Sequence, residues 1–292
     1  MNSRAAGKII FLALLSWLLL FPGAGPAQAC TLFAAAGSRV EGGGTLIVKN
    51  RDRTPRQSAL KVFAPADGYR HLALVAVDNP KEPAVAGVNE KGLTVVDALP
   101  SNLPPQEENR GAIALTQALL TRCASVDEVL AQKDLLAASY PVFQMVADGR
   151  KIAIIEIAPG GRVAVKVSDQ GILCHTNHYL DPRLQEANRK PNSSWIRYCR
   201  IDRLLSRQQE PYSLEDFLAF SQDRHDGPDN SICRTGSTPT KIRTLATWIV
   251  AHPAVGAPRV FVRIANPGER QKIVKLRLEP SLWAKRLQEK IL

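Results

Sequence analysis

Long apolar runs are absent from this sequence of 292 residues after residue 21. No later stretch reaches the roughly 20 residues that a membrane-spanning helix needs. The sequence also lacks internal repeats, low-complexity segments and extended runs of like charge, so it gives no support to a dedicated nucleic-acid or membrane-binding patch. With 45% hydrophobic and 22% charged residues, its composition is that of a globular protein and excludes disordered and collagen-like classes.

The first 29 residues have the features of a secretory signal peptide. Arg4 and Lys8 carry two of the eleven net positive charges, and no acidic residue accompanies them. The apolar run 9–21 is too short to span a bilayer comfortably, and Ala27-Gln28-Ala29 supplies the small residues that a signal peptidase recognises. The sequence therefore predicts an exported protein, periplasmic or secreted, whose single domain comprises residues 30–292.

Cleavage after Ala29 makes Cys30 the new N-terminus, and three interpretations of this cysteine compete. It can join a disulfide, as is common in an oxidising compartment. It can be lipidated and anchor the chain, although Ala27 and Gln28 replace the Leu and the small residue that usually precede a lipidated cysteine. It can also be catalytic, because an N-terminal cysteine combines a thiol nucleophile with an α-amine that serves as its base near neutral pH.

Short apolar runs with turn residues between them predict strands, and longer runs with helical spacing predict helices. The first two strands form a hairpin, and Ser125 is the expected cap of a second helix within 113–138. The order of elements predicts an α+β fold of layered sheets and helices. Strands are predicted at 30–37, 45–48, 72–77, 84–88, 93–98, 142–148, 151–158, 162–168, 171–173, 259–266 and 272–279, and helices at 113–138, 182–210, 213–222 and 240–252.

Two polar segments are candidates for a site. Residues 49–52, Lys-Asn-Arg-Asp, follow the strand that pairs with the first one, so the hairpin brings them towards Cys30. A cation there lowers the pKa of a thiol, and a carboxylate holds an α-ammonium. The alternative is a solvated, charged strand end. In residues 174–179, Cys-His-Thr-Asn-His-Tyr, no third metal ligand accompanies the two histidines, whereas Asn177 is either an oxyanion donor or a turn residue.

Six motifs in this order resemble the N-terminal-nucleophile (Ntn) amidohydrolases of the choloylglycine hydrolase, penicillin V acylase and penicillin acyltransferase group. They are CTLFAAAGS from Cys30, KNRD, VNEKGL, CHTNHYL, SSWIRY and SICRTG, and the resemblance extends from Cys30 to about residue 265. It implies a four-layer αββα sandwich of two antiparallel sheets. It also implies an amidase or acyltransferase that acts on a small acyl-amide substrate and needs no metal or organic cofactor.

The resemblance assigns roles to five residues. Cys30 is the nucleophile, and Asp52 is the carboxylate that binds its α-amine. Lys49 stands where the group has Arg, so a compact ammonium takes the place of a planar guanidinium. Asn177 matches the amide of the Thr-Asn motif and Arg197 matches the active-site arginine of the Ser-Ser-x-x-Arg motif.

One feature of the group is missing from the sequence. Choloylglycine hydrolases have an oxyanion-hole Asn where this chain has Leu99, so a backbone N–H or Asn102 is the expected replacement. The implied mechanism is acyl transfer through a Cys30 thioester, which water or a second amine then attacks.

A non-catalytic alternative remains at this point. The chain is then an exported binding domain or lipoprotein, and Cys30 is lipidated or paired with one of the four other cysteines at 123, 174, 199 and 233. Acyl and amine identity, and whether the protein is a homo-oligomer, are open.

Overall fold

This computed structural model describes residues 28–77, 84–101, 103, 114–188, 193–207 and 211–283. Apart from Gln28 and Ala29, the predicted signal peptide lies outside the described residues, and so does Asn102. Within the described ranges, no helix has both the length and the hydropathy of a membrane span. All five cysteines are described, and none forms a disulfide.

Thirteen strands of the described residues form two antiparallel sheets. The strands are β1 (Gln28–Ala36), β2 (Gly44–Arg53), β3 (Ser58–Phe63), β4 (His71–Ala76), β5 (Ala86–Asn89), β6 (Thr94–Ala98), β7 (Val142–Ala147), β8 (Ile152–Ala158), β9 (Arg162–Ser168), β10 (Gly171–His175), β11 (Arg243–Pro253), β12 (Arg259–Ile264) and β13 (Lys272–Arg277). The order in the six-stranded sheet is β10-β1-β2-β11-β12-β13, and in the seven-stranded sheet it is β3-β4-β5-β6-β7-β8-β9.

Helices cover the outer faces of both sheets. One apolar cluster joins the helices within residues 115–137 to the seven-stranded sheet, a second fills the space between the sheets, and a third joins the helices within residues 193–221 to the six-stranded sheet. The predicted αββα sandwich is confirmed. The helices are α1 (Leu115–Arg122), α2 (Val126–Ala131), α3 (Lys133–Ala137), α4 (Ser193–Arg207), α5 (Leu214–Ser221), α6 (Gly227–Asn230) and α7 (Pro280–Trp283).

The predicted hairpin of β1 and β2 is confirmed and is central to the six-stranded sheet. Opposite residues of an antiparallel pair share a face, and faces alternate along each strand. Cys30, Leu32 and their partners therefore point between the sheets, where both belong to the core cluster. Phe33 and Val48 point to the other face and pack in the cluster beneath α4 and α5.

Two helix predictions need correction. Residues 240–252 were predicted as a helix, but β11 is a strand whose central residues are all buried. A strand covered on both faces is apolar throughout, so its sequence loses the alternation that distinguishes it from a helix. The predicted helix 182–210 is also wrong at its start, because the described residues 182–188 contain only a 3₁₀ turn, Gln185–Ala187, and α4 begins at Ser193.

Two helices were predicted for 113–138, and the described residues 114–138 form three short ones. Ser125 caps α2 as expected, since its side chain accepts a hydrogen bond from the N–H of Glu128. The chain breaks again at Gln132, which separates α2 from α3 and lies outside helical backbone geometry. Strand β3 was not predicted, because its partly exposed residues carry little apolar signal.

Candidate active site

Cys30 lies near the start of β1, between β10 and β2. Its partner on β2 is Arg51, and only 4% of Cys30 is exposed. Its side chain points between the two sheets. The backbone atoms of Cys30 face polar groups from two other parts of the chain, one after β10 and one on α4. The cysteine is therefore held by main-chain contacts, and its thiol forms no disulfide with the other described cysteines.

Asn177 follows β10 and is fully buried beside Cys30. Its Oδ1 accepts from the backbone N–H of Cys30 at 2.8 Å and from Nη2 of Arg197 at 2.8 Å, while its Nδ2 donates to the carbonyl of Leu99 at 2.7 Å. The backbone N–H of Asn177 donates to Oγ of Ser194 at 2.8 Å. An amide nitrogen has two hydrogens. The second Nδ2 hydrogen, which no described residue accepts, is available to a developing oxyanion.

Arg197 extends from α4 to the other side of the same cysteine. Its Nη1 donates to the carbonyl of Cys30 at 2.5 Å and to Oγ1 of Thr31 at 2.9 Å. Burial and, to a smaller extent, the charge of Arg234 lower the pKa of Arg197 to about 10, although Asp52 and Cys30 act in the opposite direction. Arg197 remains charged at neutral pH and fixes both Cys30 and Asn177.

Asp52 opposes Ala29 on β1 and is completely buried on the helix-facing side of the sheet. Oγ1 of Thr244 donates to its Oδ1 at 2.7 Å. Its Oδ2 has no hydrogen-bond partner among the described residues. Burial raises the pKa of Asp52 to about 6, and the neighbouring Arg234 and Arg197 only partly oppose this effect. A carboxylate with one unused oxygen thus lies directly beside the Ala29–Cys30 bond.

Lys49 lies deeper along β2, opposite Leu32. Its Nζ donates to Oδ1 of Asp97 at 2.5 Å and to the carbonyl of Val85 at 2.8 Å. The ammonium is therefore bound by acceptors in and next to the seven-stranded sheet. The sequence resemblance assigned this cation to the site. The structure brings Asp52, Asn177 and Arg197 around Cys30 but ties Lys49 to Asp97.

Arg234 is a member of this constellation to which the sequence assigned no role. It is buried, its Nε donates to the carbonyl of Asp229 at 2.7 Å, and its Nη2 donates to Oγ of Ser193. Its charge is the largest influence that favours ionised Asp52. The SICRTG motif contains Arg234, so the sequence offered a signal from which this residue could have been identified. Thr244 has no comparable signal, since only the sheet register brings it to Asp52.

The two histidines of the 174–179 segment have different partners. Nε2 of His175 lies 3.3 Å from Oε1 of Glu156, whereas Nδ1 of His178 lies 2.7 Å from Oγ of Ser194. Burial lowers the pKa of His178 to about 4. Within the described residues, no group of three or more His, Cys, Asp or Glu side chains is arranged to hold a metal ion.

A family model, described as acyl-coenzyme A:6-aminopenicillanic acid acyl-transferase, matches residues 39–266. The chain belongs to this family. The matched range of the acyl-transferase family includes Asp52, Asn177, Arg197 and Arg234, and it begins nine residues after Cys30 (39 − 30). No curated protein matches the sequence.

Solved structures show the same fold as this acyl-transferase family member. Penicillin V acylase from Agrobacterium tumefaciens is 14% identical with a TM-score of 0.56, and the match covers 85% of this chain and 86% of that chain. A mutant of the conjugated bile acid hydrolase from Clostridium perfringens is 14% identical with a TM-score of 0.53, covering 85% and 92%. The chain is thus a member of the acyl-transferase family by sequence and shares the fold of these two hydrolases.

Proposed function

We propose that Cys30, once it is the N-terminal residue, is the nucleophile of an exported cysteine amidohydrolase that cleaves a linear acyl amide. One observation carries the proposal most strongly. The N–H of Cys30 is bonded to Asn177, while the buried carboxylate of Asp52 lies beside the preceding bond with one oxygen unused. Removal of residues 1–29 turns that nitrogen into an α-amine, and Asp52 gains a cationic partner.

The first half of the reaction forms a thioester. The α-amine of Cys30 takes the thiol proton, and the sulfur attacks the carbonyl carbon of the substrate amide. The oxyanion accepts a hydrogen bond from the free Nδ2 hydrogen of Asn177. The C–N bond then breaks, the α-ammonium returns its proton to the leaving amine, and the acyl group stays on the sulfur.

The second half releases the acyl group. Water attacks the thioester carbonyl and gives a proton to the α-amine. The C–S bond then breaks, the α-ammonium returns the proton to the sulfur of Cys30, and the acyl group leaves as a carboxylic acid. Asp52 keeps the amine in place through both halves, and Arg197 holds the Cys30 carbonyl and Asn177 in fixed positions. If a second amine attacks in place of water, the product is a new amide. The family's description as an acyl-transferase makes this the second candidate activity.

The timing of cleavage follows from burial of the Ala29–Cys30 bond. Ala29 is 5% exposed and pairs with Asp52 within β1. A peptidase binds an exposed, extended segment, and a bond inside a sheet does not offer one. We therefore assign the cut to a stage before β1 pairs with β2. A purified, folded, uncut chain that processes itself would contradict this order.

Two measurements test the proposal. The intact mass of exported protein should correspond to residues 30–292 without a lipid adduct, and Cys30→Ser should lose nearly all activity on a panel of acylated amines. Cys174→Ser is the matched control, because Cys174 lies on β10 with its thiol near Asp202, away from the groups around Cys30. Equal activity of wild type and Cys30→Ser would leave a non-catalytic binding domain, and a diacylglyceryl adduct would indicate a lipoprotein.

A further inference from the structure

A cleft of about 430 Å³ lies at the end of the sandwich remote from Cys30. The turns after β5, β7 and β11 border it together with residues 278–283, and we call it the Trp283 cleft. His252 of β11 lines the cleft and pairs with Thr45 on β2. Thr45 is six positions from Arg51, the partner of Cys30 (45 and 51), so about 20 Å of strand separates the cleft from Cys30.

A buried histidine supplies a free ring nitrogen to this cleft. His252 is 3% exposed, and its Nε2 lies 2.8 Å from Oγ1 of Thr94. Its Nδ1 has no hydrogen-bond partner among the described residues. Nδ1 faces Gly92 in the wall of the cleft, since a Cβ on that glycine would lie 4.0 Å from it. A buried polar atom without a partner costs free energy, so Nδ1 is prepared for a ligand atom.

The protonation state of His252 indicates which ligand atom fits. Burial lowers the pKa of His252 to about 4, although the charge of Asp148 opposes this effect, so the imidazole is neutral at pH 7. A neutral imidazole has one donor and one acceptor nitrogen, and a threonine hydroxyl satisfies either type. Nδ1 can therefore donate or accept. A hydroxyl group on a ligand matches both possibilities, whereas a carboxylate gains no attraction from charge.

The wall formed by residues 278–283 is apolar. Leu278 and Trp283 line the cleft and are 4% and 9% exposed. Nη1 of Arg70 donates to the carbonyl of Trp283 at 2.8 Å, which fixes the end of this segment. Proline has no backbone N–H to present to a ligand. Three prolines extend the apolar lining, at 253, 258 and 280.

The charged residues that line the cleft are of opposite sign and adjacent in sequence. Oε1 of Glu90 accepts from the backbone N–H of Arg70 at 2.9 Å. Nζ of Lys91 lies 5.4 Å from the centre of the Tyr69 ring. Because the two charges offset each other, this side of the cleft favours neither an anion nor a cation.

We propose that the Trp283 cleft is a second small-molecule site, which binds an uncharged molecule with an apolar ring and one hydroxyl group. The ring packs against Trp283 and Leu278, and the hydroxyl forms a hydrogen bond with Nδ1 of His252. The volume falls within the range of about 300–1,000 Å³ that is usual for ligand sites. This site does not depend on the role of Cys30.

The test uses 4-fluorobenzyl alcohol as the probe and follows its ¹⁹F NMR signal during titration with the protein. Wild type should bind the alcohol with a Kd of about 1 mM or below, the affinity expected of so small a ligand. The charged analogue 4-fluorobenzoate should bind at least about tenfold more weakly. Cys30→Ser should bind the alcohol as wild type does.

Three variants locate the probe and its hydrogen bond. Ala257→Trp places a large side chain on a partly exposed lining residue and should abolish binding. His252→Leu removes Nδ1 and should weaken binding of the alcohol about tenfold, while 4-fluorotoluene, which lacks the hydroxyl, should change by less than about threefold. Thr94→Val is the matched control, because it removes the bond to Nε2 but keeps Nδ1, and it should bind within about threefold of wild type.

Four results would overturn the inference. They are a lack of saturable binding to wild type, binding that persists in Ala257→Trp, unchanged affinity in His252→Leu, and equal losses in His252→Leu and Thr94→Val. The second result would place the probe elsewhere, and the last would make His252 a structural link between the sheets. If His252→Leu does not fold, Ala257→Trp still decides whether the probe occupies the cleft.

Discussion

The two faces of β2 bury charge in different ways. On the face towards the seven-stranded sheet, Lys49 meets Asp97 at 2.5 Å, so both charges of the pair are satisfied in the uncut chain. On the helix-facing side, Asp52 receives one hydrogen bond, from Thr244, and its other oxygen has no partner among the described residues. A single strand therefore carries a complete ion pair and an incomplete one.

The difference indicates that the charge of Lys49 has a structural role, whereas the charge of Asp52 is available to a further partner. Buried carboxylates are normally paired, and the charged form of an unpaired one is disfavoured. Asp52 shows this cost, since burial raises its pKa to about 6 despite the arginines nearby. In the mature protein of our proposal, the α-ammonium of Cys30 supplies what is missing.

Breaking the complete pair should have the largest effect on stability. Asp97→Leu leaves the ammonium of Lys49 buried without its carboxylate, which is expected to cost about 3–5 kcal/mol of unfolding free energy. Denaturant unfolding of the mature protein measures the loss. The double variant Lys49→Met/Asp97→Leu should recover most of it, because two apolar side chains replace both charges. If the double variant is as unstable as Asp97→Leu, the loss of stability does not come from the unpaired charge of Lys49.

The incomplete pair should appear as a pH dependence of the uncut chain. Between about pH 4 and 6 the unfolded chain loses the Asp52 proton while the folded chain keeps it, so the free energy of unfolding falls as pH rises. A raised pKa of this size corresponds to a loss of about 3 kcal/mol that is complete above about pH 6. Uncut protein with Cys30→Ala should show this fall, whereas the same protein with Asp52→Asn should not.

Removal of residues 1–29 should reduce this pH dependence of the unfolding free energy. The α-ammonium favours ionised Asp52, so mature protein should be less destabilised than uncut protein over the same pH range. Equal pH dependence in the two forms would place the α-amine away from Asp52 and weaken its assigned role.

Much of the hairpin and its site could be predicted from sequence because the relevant signals are local. Turn residues separate two apolar runs, and the register of a hairpin follows from its turn, so Asp52 is expected near Cys30. Asn177 was a candidate from its own segment, but the placement of Asn177 and Arg197 at Cys30 required the resemblance to a family. They lie after β10 and on α4 and approach Cys30 only through the fold.

The partners of the buried charges could not be predicted. Lys49 was predicted as a site residue, and its contact with Asp97 could not be foreseen because it depends on how β2 lies against β6 in the other sheet. Leu99 was expected as a missing side chain, yet it takes part through its carbonyl, which every residue has. Strand β11 was misread as a helix because both of its faces are buried.

The smallest expected effect separates the charge of Asp52 from the packing around it. Thr244→Val removes the hydroxyl that donates to Asp52 at 2.7 Å and should cost about 1–2 kcal/mol of stability. Because that bond favours the ionised carboxylate, its loss should also raise the pKa of Asp52 and move the acid limb of the kcat/KM profile upward.

Thr247→Val is the matched control for Thr244→Val. Thr247 lies on the same strand and donates to Oδ1 of Asn50 at 2.9 Å, a neutral acceptor. Its loss should lower stability by a similar amount without moving the pH profile, because Thr247 forms no hydrogen bond with Asp52, although it also accepts one from Nη2 of Arg263 at 3.3 Å. A shift of equal size in both variants would mean that the kcat/KM profile responds to a general loss of packing around β11. The two faces of β2 would then differ in packing and not in charge.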